Sequence, residues 1–162
     1  MDRSVRKVTF EDLERVLQIY AGARHFMEIH GNPHQWGKDK PQRTTLEEDI
    51  RRGDLYAIVR DDKIVGVFAF MLGEDPTYAQ IFEGGWRRND PYGTIHRIAG
   101  DGSGGILHTC ICYCERIIPY LRIDTHEDNV VMQRAVAKEG FTRCGIIYIA
   151  DGTPRIAYDR YA

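Results

Sequence analysis

The sequence predicts an α/β fold with a mixed central sheet, in which antiparallel N-terminal strands and a parallel middle pair are flanked by about four helices. Two observations predict it. The chain opens with a strand, a helix and an antiparallel hairpin, and it continues as strand, helix, strand, helix, strand. Its 162 residues, 43% hydrophobic and 28% charged, suit one globular domain over residues 1–162.

Charge and hydropathy exclude several classes of protein. The net charge of -2 predicts neither a nucleic-acid nor a membrane partner. The chain has no apolar run long enough to span a bilayer, and "MDRSVRKVTF" lacks the apolar core of a signal peptide, which together predict a cytoplasmic protein. The four cysteines, at positions 110, 112, 114 and 144, suit no disulfide framework. On a helix, Cys112 points away from Cys110 and Cys114, so we expect reduced, buried thiols and no metal.

The first third of the chain predicts a strand, two helices and a loop. Residues 5–9 form a short strand, and Thr9 with Asp12 makes a variant of the capping box that starts a helix. Apolar residues recur at helical spacing up to Gly31, which ends the helix. The breaks in "GNPHQWGKDKPQ" predict a loop, and "TTLEEDIRRGD" predicts a short helix with a threonine cap and a glycine stop.

The remaining two thirds predict most of the sheet. "LYAIVRDDKIVGVFAFML" is a hairpin that turns at Asp61 and Asp62, and "TYAQIFEGGW" is a further short strand. "GTIHRIA" and "YLRIDTH" are strands that alternate with helices at 105–118 and 129–139. "FTRCGIIYI" and "TPRIAYDRY" close the chain as a hairpin with a turn at "ADG".

The stretch "IAGDGSGGIL" indicates a phosphate site, because a strand, a glycine loop and a helix start direct backbone N–H groups at an anion. Gly100, Gly102 and Gly105 spell G-x-G-x-x-G, and Asp124 ends the next strand where a ribose-binding acid belongs, so a dinucleotide site is one interpretation. A serine protease is excluded, since Gly102 interrupts the G-D-S-G-G pattern and Ser103 lies in no G-x-S-x-G elbow.

The downstream segment "EDNVVMQRAVAKEGF" places Asn129 eleven residues before Gly140. It resembles the second hallmark of the GNAT acyltransferase superfamily, N-x6-(helix)-K-x-G-F. The glycine loop then resembles the first hallmark, Q/R-x-x-G-x-G/A, with Gly102 where Gln or Arg is usual and Leu107 where Gly or Ala is usual. The order of elements agrees with a GNAT-like sheet over nearly the whole chain, and we adopt this interpretation.

The resemblance implies an acetyl-CoA-dependent N-acetyltransferase, in which a primary amine attacks the thioester directly. Acetyl-CoA is then the co-substrate and the only cofactor. Its pantetheine arm would pair with the end of the "TIHRIA" strand and pass Asn129, while its pyrophosphate would meet the helix start. The implied cofactor-binding residues are Ile98, Ala99, Gly102, Ser103, Gly104, Gly105, Ile106, Leu107 and Asn129.

The candidate catalytic residues depart from the pattern that is usual in the superfamily. Val136 occupies the position at which the superfamily often has a tyrosine that protonates the departing thiolate. For the base that deprotonates the amine, His96 is the first candidate, and strand alternation puts it on one face with Ile98. Glu83 on the preceding strand is the second candidate. Carboxylates at Glu74 and Asp75 would attract a cationic amine.

The acceptor is expected to be a small-molecule or peptide amine that enters beside the "HGNPHQWGKDK" loop, where His34 and Trp36 are the substrate-binding candidates. The C-terminal hairpin makes a homodimer possible. Two other functions stay open at this point. Val136 favours a domain that binds or senses acetyl-CoA without catalysis, and the G-x-G-x-x-G spacing with Asp124 favours a small nicotinamide-dinucleotide oxidoreductase.

Overall fold

The computed structural model describes residues 2–162. Seven strands and four α-helices follow one another in the order that the sequence predicts, apart from one expected strand, and two one-turn helices stand at Phe10–Asp12 and Pro76–Tyr78. The bounds are β1 Ser4–Lys7, α1 Leu13–Ile29, α2 Arg43–Arg52, β2 Leu55–Arg60, β3 Lys63–Leu72, β4 Gly93–Gly100, α3 Ile106–Glu115, β5 Tyr120–Thr125, α4 Val130–Lys138, β6 Thr142–Tyr148 and β7 Pro154–Tyr161.

All the strands form one sheet, in the order β1-β2-β3-β4-β5-β7-β6. Every neighbouring pair is antiparallel except β4 and β5, so the predicted mixed sheet with a parallel middle pair is confirmed. The hairpin of β2 and β3 turns at Asp61 and Asp62, whose φ angles of +51° and +62° give the left-handed turn that matches strand twist.

The sheet is split along its middle. β4 and β5 pair only where Gly93 faces Leu121 and Thr94 faces Arg122. β5 pairs along its whole length with β7 instead, from Tyr120 opposite Tyr161 onward. The two parallel strands therefore diverge after their first residues, and a gap opens between the rest of β4 and the end of β5.

Apolar side chains fill both faces of the sheet. One buried cluster, centred on Phe68 and Leu121, packs beneath α3 and α4 and includes Cys110 and Cys114, as expected for buried thiols. A second cluster, centred on Leu55, packs beneath α1 and α2. The two clusters fix the four helices, and thereby hold the split open.

The prediction of a strand at "TYAQIFEGGW" is wrong. That segment forms the one-turn helix Pro76–Tyr78 and then an irregular stretch with a single bridge, from Phe82 to Ile146. Glycine explains the difference, because Gly84 has a φ of +151° and a side chain there would run into the Cys144 carbonyl oxygen. The N-cap of α2 is Gln42 rather than a threonine. Within residues 2–162, no helix combines the length and the apolarity needed to cross a bilayer.

Candidate active site

A β-bulge interrupts β4 at the split. Val67 faces Ala99 and Ala69 faces His96, so Arg97 and Ile98 together stand opposite one residue of β3. Arg97 has a φ of +51°. Ile98 consequently packs against the same apolar cluster as Ile95, whereas Ala99 belongs to the opposite one. Simple alternation fails here, and the expectation that His96 and Ile98 share a face is wrong.

Two helices hold this bulge. The Tyr20 hydroxyl of α1 donates a 2.6 Å hydrogen bond to the Arg97 carbonyl oxygen. The Arg97 guanidinium donates two bonds, of 3.0 and 2.9 Å, to the carboxylate of Asp49 in α2, which is only 3% exposed. Burial raises the pKa of Asp49, and the guanidinium opposes that rise. The strained backbone is therefore fixed by an ion pair that is itself buried.

A cavity of about 600 Å³ opens from the bulge towards the glycine loop, between α1, α3 and α4. We call it the cofactor-side cavity. Seven of the nine residues that the resemblance assigns to the cofactor line it, namely Ile98, Ala99, Gly102, Gly104, Ile106, Leu107 and Asn129. Ser103 and Gly105 belong to the same loop but do not line the cavity.

The loop between β4 and α3 has the form of an anion cradle. Gly102, Gly104 and Gly105 have φ angles of +93°, +83° and +72°, and no atom lies within 4 Å of where a side chain of the first two would start. The N–H groups of the first turn of α3 have no partner within the helix, because its first backbone bond runs from Thr109 to Gly105. The Arg15 guanidinium lies at the edge of this loop, 4.0 Å from Asp101. Free backbone donors with a nearby cation fit a pyrophosphate.

A second cavity, of about 710 Å³, lies on the other side of the bulge, and we call it the acceptor-side cavity. Both cavities are lined by Met27, Ile98, Asn129 and Met132. The two therefore adjoin at these residues, and we call the pair of adjoining cavities along the split between β4 and β5 the passage.

His96 faces the acceptor-side cavity as half of a histidine–aspartate pair. Its Nε2 lies 2.8 Å from Oδ2 of Asp75, whose other oxygen accepts a 2.9 Å bond from the Thr77 N–H. Burial raises the pKa of Asp75, but the hydrogen bond and charge of His96 and the Thr77 N–H outweigh it, so the pKa is lowered overall. An ionised Asp75 accepts a hydrogen bond from the N–H at Nε2. In this tautomer of His96, the lone pair is on Nδ1.

Asp124 is a second carboxylate in the same cavity. It accepts a 2.6 Å hydrogen bond from the hydroxyl of Tyr78, and burial raises its pKa, although His96 and that bond oppose the rise. Thr94 stands opposite Arg122, so residues two further along each strand, His96 and Asp124, lie on the same face of the sheet. Sequence reasoning placed Asp124 at this edge but missed Tyr78, which carries no motif.

Two substrate-binding residues are predicted in the loop after α1, and one of them lines a cavity. Trp36 lines the acceptor-side cavity and packs edge-on against Tyr20, with ring centroids 5.6 Å apart. His34 is exposed and lines neither cavity. Between them, Gln35 was missed; its Oε1 accepts a 3.0 Å bond from Nδ2 of Asn129 and so ties the loop to α4.

Two other expectations fall outside the passage. Glu83 stands on no strand, has a φ of +57°, is exposed, and lines neither cavity. Val136 is fully buried in the core beneath α4. Among residues 2–162, no tyrosine lines either cavity.

The comparisons with known proteins agree with this geometry. No protein-family model and no curated protein matches the sequence. Among solved structures, a GNAT-family acetyltransferase from Streptococcus agalactiae is 27% identical, with a TM-score of 0.88 over 99% of this chain and 95% of that one. A putative acetyltransferase from Staphylococcus aureus is 22% identical, with a TM-score of 0.71 over 97% of each chain.

A ribosomal-protein-alanine N-acetyltransferase from Brucella melitensis shares the fold at 18% identity, with a TM-score of 0.61 over 98% of this chain and 99% of that one. The split sheet, the bulge in β4 and the glycine loop before α3 thus occur in a chain whose likeness to GNAT acetyltransferases extends over its whole length. The chain is therefore similar over its whole length to N-acetyltransferases of the GNAT superfamily, and it has the GNAT fold.

Proposed function

We propose that the protein transfers an acetyl group from acetyl-CoA to a primary amine by direct attack on the thioester. The observation that carries this proposal is the pair of adjoining cavities along the split sheet. One end of the passage is an anion cradle at the glycine loop, and the other contains His96 and Asp124. A long anionic thioester and a cationic amine suit these two ends.

The chain's own residues fit acetyl-CoA on the cofactor side. When bound, acetyl-CoA supplies an acetyl group on a good leaving thiolate. The N–H groups at residues 105–108 hold the pyrophosphate, with Arg15 beside them. The bulge at Arg97 and Ile98 interrupts the ladder to β3 and offers main-chain groups to the arm and to the carbonyl oxygen.

On the acceptor side, His96 supplies the proton transfer. An alkylammonium must first lose a proton, which passes to Nδ1 of His96, while Asp75 stabilises the imidazolium that results. The neutral amine nitrogen then forms the bond to the acetyl carbon as the bond from that carbon to sulfur breaks, and the second proton on this nitrogen leaves to water. The side chain of Val136 has no proton to give to the departing thiolate. Because the thiol has a pKa near 8.5, the thiolate leaves unprotonated and then takes a proton from water.

One observation favours a second candidate function, a domain that binds acetyl-CoA without turnover. The position of the usual tyrosine is held by the buried Val136, and no tyrosine lines the passage within residues 2–162. The fold does not favour the nicotinamide alternative. In the described chain only β4 and β5 are parallel, whereas a dinucleotide fold is a mostly parallel, doubly wound sheet.

A thermal-shift titration with acetyl-CoA, CoA and NADH side by side tests the proposal. A ligand at 100 times its dissociation constant stabilises the protein by about 2.7 kcal/mol, and we expect this with acetyl-CoA and CoA only. Thiol release from acetyl-CoA with a panel of primary amines then separates catalysis from binding alone. Stabilisation by NADH alone would refute the proposal, and binding without thiol release for any amine would favour the sensor.

A further inference from the structure

Arg155 is a buried cation without an anionic partner. The side chain is 5% exposed and lines the acceptor-side cavity. Its Nη1 donates to the Thr153 hydroxyl at 3.0 Å and to the Pro154 carbonyl oxygen at 2.8 Å, and its Nη2 reaches the Gln35 carbonyl oxygen only at 3.5 Å. Within residues 2–162, no carboxylate lies within 4 Å of it.

Two other arginines are compensated, the partly buried Arg97 and the buried Arg122. Arg97 pairs with Asp49 through two hydrogen bonds, and the Arg122 guanidinium packs over three aromatic rings at 3.9 to 5.1 Å. A buried charge without such a partner is costly. The edge of the Arg155 guanidinium formed by Nε and Nη2 is the edge that binds a carboxylate with two parallel bonds, and it carries only the long contact to the loop.

The strand register places Arg155 on the same face of the sheet as His96 and Asp124. Asp124 of β5 faces Ala157 of β7, and Arg155 stands two residues from Ala157, on the same face of the sheet. His96 lies on that face of β4. The charges of both His96 and Arg155 act on the Asp124 carboxyl, and burial still raises the pKa of that carboxyl overall. The other charged groups near Arg155 are His126, whose pKa is lowered by burial and by Arg155, and Asp151, whose carboxylate already binds Thr153.

We infer that the acceptor is a small amine that also carries a carboxylate, as free amino acids do, and that Arg155 binds this carboxylate. This inference rests on the proposed function. The acceptor's carboxylate forms two bonds with the open edge of Arg155, and its amine then lies over His96, on the adjacent part of the same face. The guanidinium thereby selects the acceptor and orients it, while the proton transfer stays with His96.

Pairs of acceptors that differ only in the carboxylate test the inference. Thiol release is measured with alanine and ethylamine, and with phenylalanine and 2-phenylethylamine, for the wild type and for Arg155→Gln. We expect the variant to lose about 10²-fold in kcat/KM for the amino acids, chiefly through KM, and to change little with the simple amines. Comparing this ratio of amino acid to simple amine between the wild type and Arg155→Gln at one pH cancels the effect of the different amine pKa values.

Arg143→Gln is the matched control, because it makes the same substitution on exposed β6, outside both cavities, and we expect it to keep the wild-type ratio. Equal losses for both members of a pair in Arg155→Gln, or a wild type that does not prefer the amino acid, would overturn the inference and leave the proposed function standing. If Arg155→Gln fails to fold, the wild type's preference between the amino acid and the simple amine decides whether the acceptor carries a carboxylate.

A binding measurement covers the case without turnover. Thermal shifts with phenylalanine and with 2-phenylethylamine are recorded in the presence of CoA. No thiol release with any amine refutes the proposed function, and the shifts then decide the inference separately. Stabilisation by phenylalanine that Arg155→Gln abolishes supports a carboxylate site at Arg155, and no difference between the two ligands overturns it.

Discussion

His96 owes its chemistry to a partner that stands far from it in the chain. Asp75 follows β3, and its carboxylate is fixed both by the Thr77 N–H and by His96 Nε2. Its backbone N–H donates a 2.8 Å bond to the Tyr92 hydroxyl, which anchors the turn. The imidazole of His96 is therefore held at Nε2 in the wall of the acceptor-side cavity, and the proposed general base needs such a fixed orientation.

Replacing His96 by Gln is expected to lower kcat by about 10²- to 10⁴-fold, because a positioned base contributes a factor of that size. The KM for acetyl-CoA should change little, since the imidazole faces the acceptor-side cavity. Initial rates of thiol release measure both constants. The kcat of Asp75→Asn should lie between those of His96→Gln and the wild type, because this substitution disturbs the orientation of the imidazole but keeps the imidazole itself. Unchanged turnover in His96→Gln removes this residue from the mechanism.

The elements of this fold were predictable where one short stretch of sequence decides the structure. Helical spacing and glycine stops predicted the helices, and Asp61 with Asp62 predicted the first hairpin. The bulge in β4 was not predictable, since Tyr20 and Asp49 fix it from two distant helices. For the same reason the prediction of a strand over residues 77–86 is wrong, because the path of this segment is decided by the close approach of Gly84 to β6.

The contact between α2 and the bulge gives a prediction at this scale. Asp49→Ala leaves the Arg97 guanidinium, whose side chain is only 22% exposed, without its partner, so we expect it to lower the free energy of unfolding by about 3 kcal/mol. Glu48→Ala is the control on the same helix; its ion pairs with Arg51 and Arg52 are exposed, and the loss should stay below about 1 kcal/mol. Urea unfolding measures both values, and similar losses would contradict a structural role for the buried pair.

The glycine loop allows a matched comparison. Gly104 and Gly152 both have a φ of +83° and open space where a side chain would start, but only Gly104 lines the cofactor-side cavity. Alanine at either position introduces a similar backbone strain of about 1–2 kcal/mol. We expect only Gly104→Ala to weaken the binding of CoA, as measured by calorimetry. Equal affinities in the two variants would mean that the loop does not hold the pyrophosphate.

Two carboxylates on the same face of the sheet should affect the stability of the molecule in opposite directions. Asp159 is fully buried, and hydrogen bonds from Tyr120 and Arg87 outweigh the effect of burial and lower its pKa. The contribution of Asp159 to the free energy of unfolding is present above a pH of about 3.9, and it is lost as the pH falls through the pKa of the folded state. Burial raises the pKa of Asp124, so its contribution is present at low pH and is lost as the pH rises through the folded-state value.

At pH 8, Asp159→Asn should therefore melt below the wild type and Asp124→Asn above it. Each kcal/mol shifts the melting temperature by about 2–4 °C in a chain of this size. Both differences should shrink as the pH approaches 3. Melting curves between pH 3 and 8 measure them. A shift of the same sign in both variants would contradict the opposite effects of burial at the two sites.

The whole molecule also shows why only part of the site was predictable. The glycine loop and Asn129 belong to motifs, and each lies within a single strand–helix connection. Arg155, Tyr78 and Gln35 come from separate parts of the chain and meet only when β7 packs beside β5 and the loop after α1 closes over them. One domain over residues 1–162, a cytoplasmic location and a homodimer stay predictions.

The brief pairing of β4 with β5 has a mechanical consequence. Main-chain hydrogen bonding joins the two halves of the sheet, β1–β4 and β5-β7-β6, through only two pairs of residues, and side-chain packing beneath α3 and α4 supplies the remaining connection. Few main-chain bonds therefore resist a change in the width of the gap. An extended molecule that bridges both inner edges acts as a splint, so the amide hydrogens there should exchange with deuterium more slowly once it is bound.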